Sequence, residues 1–397
     1  MNSSEQLRRV IAQKIQQSEH QRITFAEFMD LALYHPQFGY YATPSSIIGA
    51  QGDFVTSPHM GRDFGEVVAE QFVDMWEALS RPERFDLVEM GAGQGLVAGD
   101  AIAHIQFNHP DCFSTLNYII VEKSAALRAE QQKRLSHWNE QGIAVSWTEL
   151  DAIAPNSITG CAFSNELVDA FPVHWVELHG QKLQEIYVIY SEDEFASQLG
   201  KLSTPKLESY FGQLDIDLSH YPDGYRTEVN LAALDWIAQI NSKLERGYLL
   251  TIDYGYTAQR YYSPARAEGT LQCYYKHSHH SDPFIHVGEQ DITAHVDFTA
   301  LEKQGTKVGL QQLGFTQQGL FLMALGLGDR LNKLSQINST RSAKPTDIQA
   351  IMQRRESLQQ LINPMGLGNF GVLIQSKGLT PKEIARPLKG LTIPPLM

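Results

Sequence analysis

The chain is predicted to be an α/β protein: a doubly wound, mainly parallel sheet of Rossmann-like type, with a helical N-terminal region and an inserted β-containing lobe. Three observations predict this. Apolar runs of strand length alternate with helical stretches from Phe85 onward, the pattern of a parallel sheet covered on both faces. Right-handed crossovers make such a sheet doubly wound. The first run, Phe85-Asp-Leu-Val-Glu-Met90, enters a glycine-rich turn, Gly91-Ala-Gly-Gln-Gly95, as a buried strand does before a helix. The alternation then breaks at Val173 and resumes near Asn230, which marks an insertion.

The elements follow in order. Met1 to Gln16 reads as an amphipathic helix. Thr24-Phe-Ala-Glu27 is a capping box that starts a helix running to about Tyr34, where Pro36 and Gly39 break it. Gly49 to Pro58 is a loop, and Met60 to Leu79 has helical spacing. Five strands are expected at Phe85–Met90, Leu116–Glu122, Ile143–Trp147, Cys161–Ser164 and Tyr248–Asp253. Helices fill the early gaps at about 96–106 and 124–136. His174–Leu178 and Leu183–Tyr190 flank His179-Gly180-Gln181, a hairpin signal; the rest, to Gly224, reads as polar loop. A helix over about 230–244 leads back to the fifth strand. Residues 254–296 read as a long connection leaving that strand's carboxyl end, where open α/β sheets bind ligands. Helical patterns near 298–313 and 345–362 and a late strand over Asn369–Ser376 complete the chain. The expected units are a helical cap (1–80), a core (81–172 and 229–376), an inserted lobe (173–228) and a tail (377–397).

Composition excludes several functions. With 32 basic and 45 acidic residues, the net charge of −13 disfavours general nucleic-acid binding, which needs a basic surface. It attracts a cationic partner or keeps the protein soluble. The 397 residues, 43% hydrophobic, suffice for a core, yet no apolar stretch approaches the ~20 residues of a membrane helix. The start lacks an apolar signal region, and Glu5 and the early helical pattern argue against a transit peptide; a cytoplasmic protein is expected. Cys112, Cys161 and Cys273 form an odd set without CxxC, so neither disulfides nor a cysteine zinc site is expected. His277, His279, His280 and His286 are irregularly spaced in a polar loop, and no metal is expected.

The glycine turn carries the chemistry. A dinucleotide fingerprint wants G-x-G-x-x-G, but Leu96 stands at its third glycine. The pattern is instead acidic-x-G-x-G-x-G, led by Glu89, and it resembles the first motif of class I methyltransferases that use S-adenosylmethionine. Glu122 ends the second strand, where a carboxylate can accept hydrogen bonds from both ribose hydroxyls; the alternative is an acid starting the next helix. Further motifs appear in order: Gly52-Asp-Phe-Val-Thr-Ser-Pro58, Phe64-Gly-Glu66, Ser164-Asn-Glu-Leu-Val-Asp-Ala-Phe-Pro172, Thr251-Ile-Asp-Tyr-Gly255, Gly269-Thr270 and Gly288-Glu-Gln-Asp-Ile-Thr-Ala-His-Val-Asp-Phe298. As a set they resemble the MidA family, which includes a mitochondrial complex I assembly factor acting as a protein arginine methyltransferase. The likeness covers roughly residues 20–376. His59, where an acidic residue is common, and the Tyr-Tyr pair after Cys273 depart from it.

The resemblance implies a class I methyltransferase fold, S-adenosylmethionine as donor, and arginine of a partner protein as acceptor, with a link to respiratory-complex assembly. A small-molecule methyltransferase and a non-catalytic assembly factor retaining the fold are the alternatives. Gly91, Gly93 and Gly95 are expected to line the methionine and ribose side of the cofactor. Glu89 would orient that turn or meet the ammonium. Trp147 would pack on adenine or in the core. Gly52, Thr56 and Ser57 would close over the cofactor, or Thr56 and Ser57 would open a helix. Asn165, Glu166 and Asp169 follow the fourth strand, beside the reacting methyl group in this fold class. Three residues apart on a helical turn, Glu166 and Asp169 face one way and can hold a guanidinium by bidentate bonds; a solvated helix start is the alternative. Asp253 and Tyr254 border the acceptor or form a buried pair.

Overall fold

The computed structural model describes residues 2–42, 56–337 and 345–393. A seven-stranded sheet dominates it: β1 (Phe85–Met90), β2 (Leu116–Val121), β3 (Val145–Thr148), β4 (Ile158–Asn165), β5 (Leu244–Asp253), β6 (Gln311–Gln317) and β7 (Gly371–Lys377). The strand order is β3-β2-β1-β4-β5-β7-β6. The first five run parallel, and β7 is antiparallel to both its neighbours. The order reverses between β1 and β4, so the crevice at their carboxyl ends is the expected ligand site of an open α/β sheet. β1 is buried along its whole length, which explains its unbroken apolar run.

The five predicted strands are all present, and β6 was missed. The helical pattern expected to reach residue 313 stops at Val308, where Gly309 adopts φ 101° and caps it. Polar β6 follows at the sheet edge, with only one face covered, so its composition carries little strand signal. The helix expected from Met60 begins at Asp63 instead. Residues Ser57–Met60 form a separate 3₁₀ turn, and Gly61 at φ 118° separates the two.

A second, five-stranded sheet lies outside the core. His174–His179 and Lys182–Ser191 form the expected hairpin, with Gly180 and Gln181 at φ 57° and 59°, the paired left-handed residues of a tight primed turn. Arg226–Val229 and Glu194–Gly200 extend it, the latter a polar edge strand within the stretch read as loop. The N-terminal segment Ile23–Thr24 also joins, paired to Lys182–Ser191. Leu7, Ile11, Phe25 and Phe28 of the first two helices pack against Trp175, Ile186, Val188 and Phe195. The N-terminal helices and the lobe therefore share one apolar core. The capping box at Thr24 is formed as expected, with the Thr24 side chain accepting from the Glu27 amide.

Part of the 254–296 connection is ordered as a three-stranded sheet, Gln272–Tyr275, Ser278–His280 and Asp291–Thr293. The segment after β7 docks on the Asp63–Ala78 helix through Arg386 to Asp74, 2.8 Å, and the Gly390 amide to Gln71, 2.8 Å.

Candidate active site

At the carboxyl end of β1 the chain makes three left-handed steps, Gly91, Gly93 and Gly95, at φ 68°, 53° and 73°. Side chains here would be strained. A Cβ on Gly91 would strike Leu167 at 2.6 Å, whereas a Cβ on Gly93 meets no atom of the described residues within 4 Å. Gly93 thus faces open space, a cavity lined also by Glu89, Glu122, Thr56 and Glu166. Glu89 is buried, and its carboxylate accepts the Tyr118 hydroxyl at 2.7 Å. Burial raises its pKa to about 7 despite that hydrogen bond, with Glu122 adding to the rise. No lysine or arginine pairs with it among the described residues, so the cavity presents a buried carboxyl group suited to a ligand's ammonium. Backbone turn, open glycine and acidic wall all fit S-adenosylmethionine.

Glu122 sits just past β2. It accepts the Ser124 amide at 2.9 Å and the Gln131 side-chain amide at 3.1 Å, and burial, largest of its causes, raises its pKa. Gln131 was not foreseen. Fully buried, it also donates to the Gly93 carbonyl at 2.7 Å and accepts the Trp147 indole N–H at 3.0 Å. One side chain thus ties glycine turn, acidic residue and β3 together. The signal was readable: Leu127, Gln131 and Leu135 are spaced by four on the buried stripe of the Ala125–Glu140 helix, and a polar residue in such a stripe needs buried partners. Trp147 itself stands behind Gln131 and is not among the residues bordering the cavity.

From the N-terminal side, Thr56 contacts His59 at 2.6 Å, and the His59 ring reaches Gln94 at 3.2 Å. The Ser57 amide donates to Glu166 at 2.9 Å, and its hydroxyl to Gln318 at 3.2 Å. Gly52 and most of the predicted covering loop lie outside the described residues.

Beyond β4 the chain turns abruptly. Glu166 takes φ 51°, a left-handed conformation costing roughly 1–2 kcal/mol for a non-glycine residue. Asn165 donates to its carboxylate at 3.1 Å. Asp253, fully buried at the end of β5, accepts the amides of Leu167 and Val168 at 3.1 and 2.9 Å and that of Tyr254 at 2.9 Å. It is the clamp that holds the turn carrying Glu166 and Asp169, the buried-pair alternative for this residue. Tyr254 instead borders a second cavity, together with Glu166, Asp169, Asp291 and Phe370. Glu166 lines both cavities.

This junction is rich in buried carboxyl groups. Burial, then the Asp169 charge, pushes Glu166 up to about 8, although the Ser57 amide opposes the shift. Burial raises Asp169 as well, and Asp253 is raised by burial and by the charges of Asp169 and Glu166. No lysine or arginine lines the second cavity among the described residues, and His295 there is held neutral, its pKa lowered to about 4 chiefly by burial. Buried like charges without a counter-ion are costly. A cation arriving here would ionise them.

The profile of a family described as S-adenosyl-L-methionine-dependent methyltransferases matches residues 67–316. The chain belongs to this family. The protein arginine methyltransferase NDUFAF7 homologue of Drosophila melanogaster is 28% identical over 341 residues, covering 79% of this chain and 73% of that protein. The human protein arginine methyltransferase NDUFAF7 is 27% identical, covering 90% and 81%. A crystal structure from Burkholderia thailandensis with S-adenosyl-homocysteine bound superposes with a TM-score of 0.81 at 29% identity, covering 97% of this chain and 96% of that one. The protein is an S-adenosylmethionine-dependent methyltransferase of the class I fold, as the motif resemblance implied.

One expectation fails. A cytoplasmic location conflicts with the Drosophila and human relatives, both named mitochondrial. The amphipathic start used in that argument reports packing: Leu7, Ile11 and Ile15 are buried against the lobe and carry no information on compartment. The histidine-bearing segment is a short hairpin rather than a loop, with His286 stacked on Tyr275 at 3.9 Å. Elsewhere, Glu70, His104 and His109 lie within ligand reach of one another, and Lys389 holds the other oxygen of Glu70 at 3.1 Å. No helix among the described residues is long and apolar enough to cross a membrane.

Proposed function

We propose that this methyltransferase modifies arginine in a partner protein. The carrying observation is that Glu166 lines both cavities, with Asp169 beside it in the second and no lysine or arginine lining that second cavity among the described residues. The names of the curated relatives support the reading, and the net charge of −13 would draw a cation toward the cleft. In this reading Gly91, Gly93, Gly95, Glu89 and Glu122 hold the donor. Gln131 and Trp147 brace them from behind, and Thr56 and Ser57 belong to the covering segment.

Bound S-adenosylmethionine supplies an electrophilic methyl group on a sulfonium. Glu166 and Asp169 receive the guanidinium by charge-assisted hydrogen bonds and aim one nitrogen toward the donor cavity. Asn165 fixes the Glu166 carboxylate through its side-chain amide. Arginine stays protonated far above neutral pH, so these residues orient it and offset its charge rather than deprotonate it beforehand. As the new N–C bond formed and the methyl–sulfur bond broke, the displaced proton would pass to a Glu166 carboxylate oxygen, ionised by the bound guanidinium. Alignment of this kind can be worth roughly 7–11 kcal/mol.

The test uses purified protein, tritiated donor and lysate protein as the acceptor pool, followed by identification of the labelled residue. Label on arginine is expected. Label confined to lysine, carboxylates or small molecules would overturn the assignment.

A further inference from the structure

The motif Gly288–Phe298 has no role in the account so far, and the structure places it at the acceptor cavity. Asp291–Thr293 is a strand paired to Gln272–Tyr275, with Tyr274 opposite Asp291 and Cys273 opposite Ile292. Side chains alternate on a strand, and the alternation continues into the next residues. Asp291, Thr293 and His295 line the second cavity. Ile292 and Ala294 point the other way, into the apolar core shared by the N-terminal helices and the lobe. The motif therefore contains a buried strand whose polar face lines the second cavity, along with Glu166 and Asp169.

Asp291 is fully buried. Its surroundings hold it in place. The Tyr41 hydroxyl donates to it at 3.0 Å, and its own Oδ1 also accepts the Ile292 amide at 3.0 Å. The Tyr41 carbonyl in turn accepts the Ser124 hydroxyl at 2.6 Å, beside the Glu122 loop of the donor cavity. The Ala294 amide donates to the Asp169 carbonyl at 2.9 Å, which ties the strand to the turn carrying Asp169.

We propose that Asp291 is a third acceptor-binding carboxylate, holding the guanidinium together with Glu166 and Asp169 and thereby selecting arginine over lysine. The inference rests on the arginine reading above. A guanidinium presents five N–H donors spread around a plane and can serve Glu166, Asp169 and Asp291 at once. An ammonium concentrates three donors at one point. Tyr254, Tyr274 and Phe370 add aromatic faces along the same cavity, which receive guanidinium better than a strongly hydrated ammonium.

The experiment titrates lysate protein as acceptor with the full chain and labelled donor, for wild type, Asp291→Asn and Asp291→Glu. Asp291→Asn is expected to raise the apparent KM for acceptor about ten-fold or more, with kcat within a few-fold, because Glu166 and Asp169 remain. S-adenosyl-homocysteine affinity by calorimetry should stay within two-fold, and Asp291→Glu should recover part of the loss. Wild-type kinetics in Asp291→Asn, while wild type labels arginine, would overturn the role of Asp291 and leave the arginine reading intact. Loss of S-adenosyl-homocysteine binding in Asp291→Asn would assign Asp291 to the scaffold and equally overturn it. Absence of labelled arginine with wild type would instead overturn the reading beneath it.

Discussion

Replacing Glu166 with glutamine should make the free protein more stable and the enzyme worse. Glutamine keeps the shape and leaves an Oε1 to accept the Ser57 amide, now 2.9 Å from the carboxylate, so the turn should survive. What it removes is a charge. An unfolded glutamate titrates near 4.5, whereas in the fold burial and Asp169 move it to about 8. The folded chain therefore binds more protons than the unfolded chain between those values, and stability falls as pH rises through that window. The gap corresponds to an upper limit of about 5 kcal/mol at high pH, of which structural relaxation would leave a smaller part. Below pH 4 wild type and Glu166→Gln should be alike; above pH 8 the variant should be the more stable by about 1–3 kcal/mol in urea unfolding. In the transfer assay the same variant should keep its donor affinity and lose ten- to a hundred-fold in kcat/KM, the loss of a charge-assisted hydrogen bond to the acceptor. A wild-type rate of methyl transfer in the folded variant would refute the role of Glu166. An unchanged gap in stability from pH 4 to 9 would refute the electrostatic account of the site.

Three further outcomes follow from the donor side. Gly93→Val should abolish donor binding, because its Cβ would project where no atom of the described residues lies within 4 Å and the ligand is expected; calorimetry on the folded variant showing unchanged affinity would place the cofactor elsewhere. Donor affinity should rise between about pH 6 and 8, since Glu89 near pKa 7 must ionise to meet the cofactor's ammonium, and the rise should vanish in Glu89→Gln; a flat wild-type profile counts against that contact. Gln131→Leu should weaken donor binding by roughly 1–3 kcal/mol by leaving the Gly93 carbonyl and Glu122 without their shared donor, and equal affinity would show that Gln131 only fills space.

The half of the site proposed to bind the donor was far more legible than the half proposed to receive the acceptor. Gly91, Gly93, Gly95, Glu89 and Glu122 lie within a β-α-β unit, close in sequence and announced by apolar strands. Local pattern therefore carries them. Gln131 was also within reach, as a polar residue on an apolar stripe. Asp291 was not. It stands 122 residues beyond Asp169 in the numbering, and only strand pairing within an apparent loop brings the two to one cavity. β6 and Glu194–Gly200 escaped for a related reason: edge strands with polar faces lack the apolar alternation that marks a strand. The pairing of Ile23–Thr24 with the lobe depends on tertiary contact and has no local signature in two residues.

This division of labour follows from the architecture. The carboxyl ends of β1 and β2 can shape a donor site from backbone turns and single carboxylates, because parallel strands deliver them side by side. They cannot also enclose a second substrate. The opposite wall comes from chain that leaves the sheet after β5, builds its own small sheet, and is backed by the N-terminal helices through Ile292, Ala294 and their neighbours. Tyr41 lines the first cavity and, through its hydroxyl, holds Asp291 of the second, so the N-terminal region touches the walls of both cavities. A change of acceptor would then require changes in Asp291, Thr293 or Tyr274, with the glycine turn left alone. A change that destroyed the N-terminal packing would be expected to damage acceptor recognition first, and donor binding only as far as Ser124 and Glu122 depend on Tyr41.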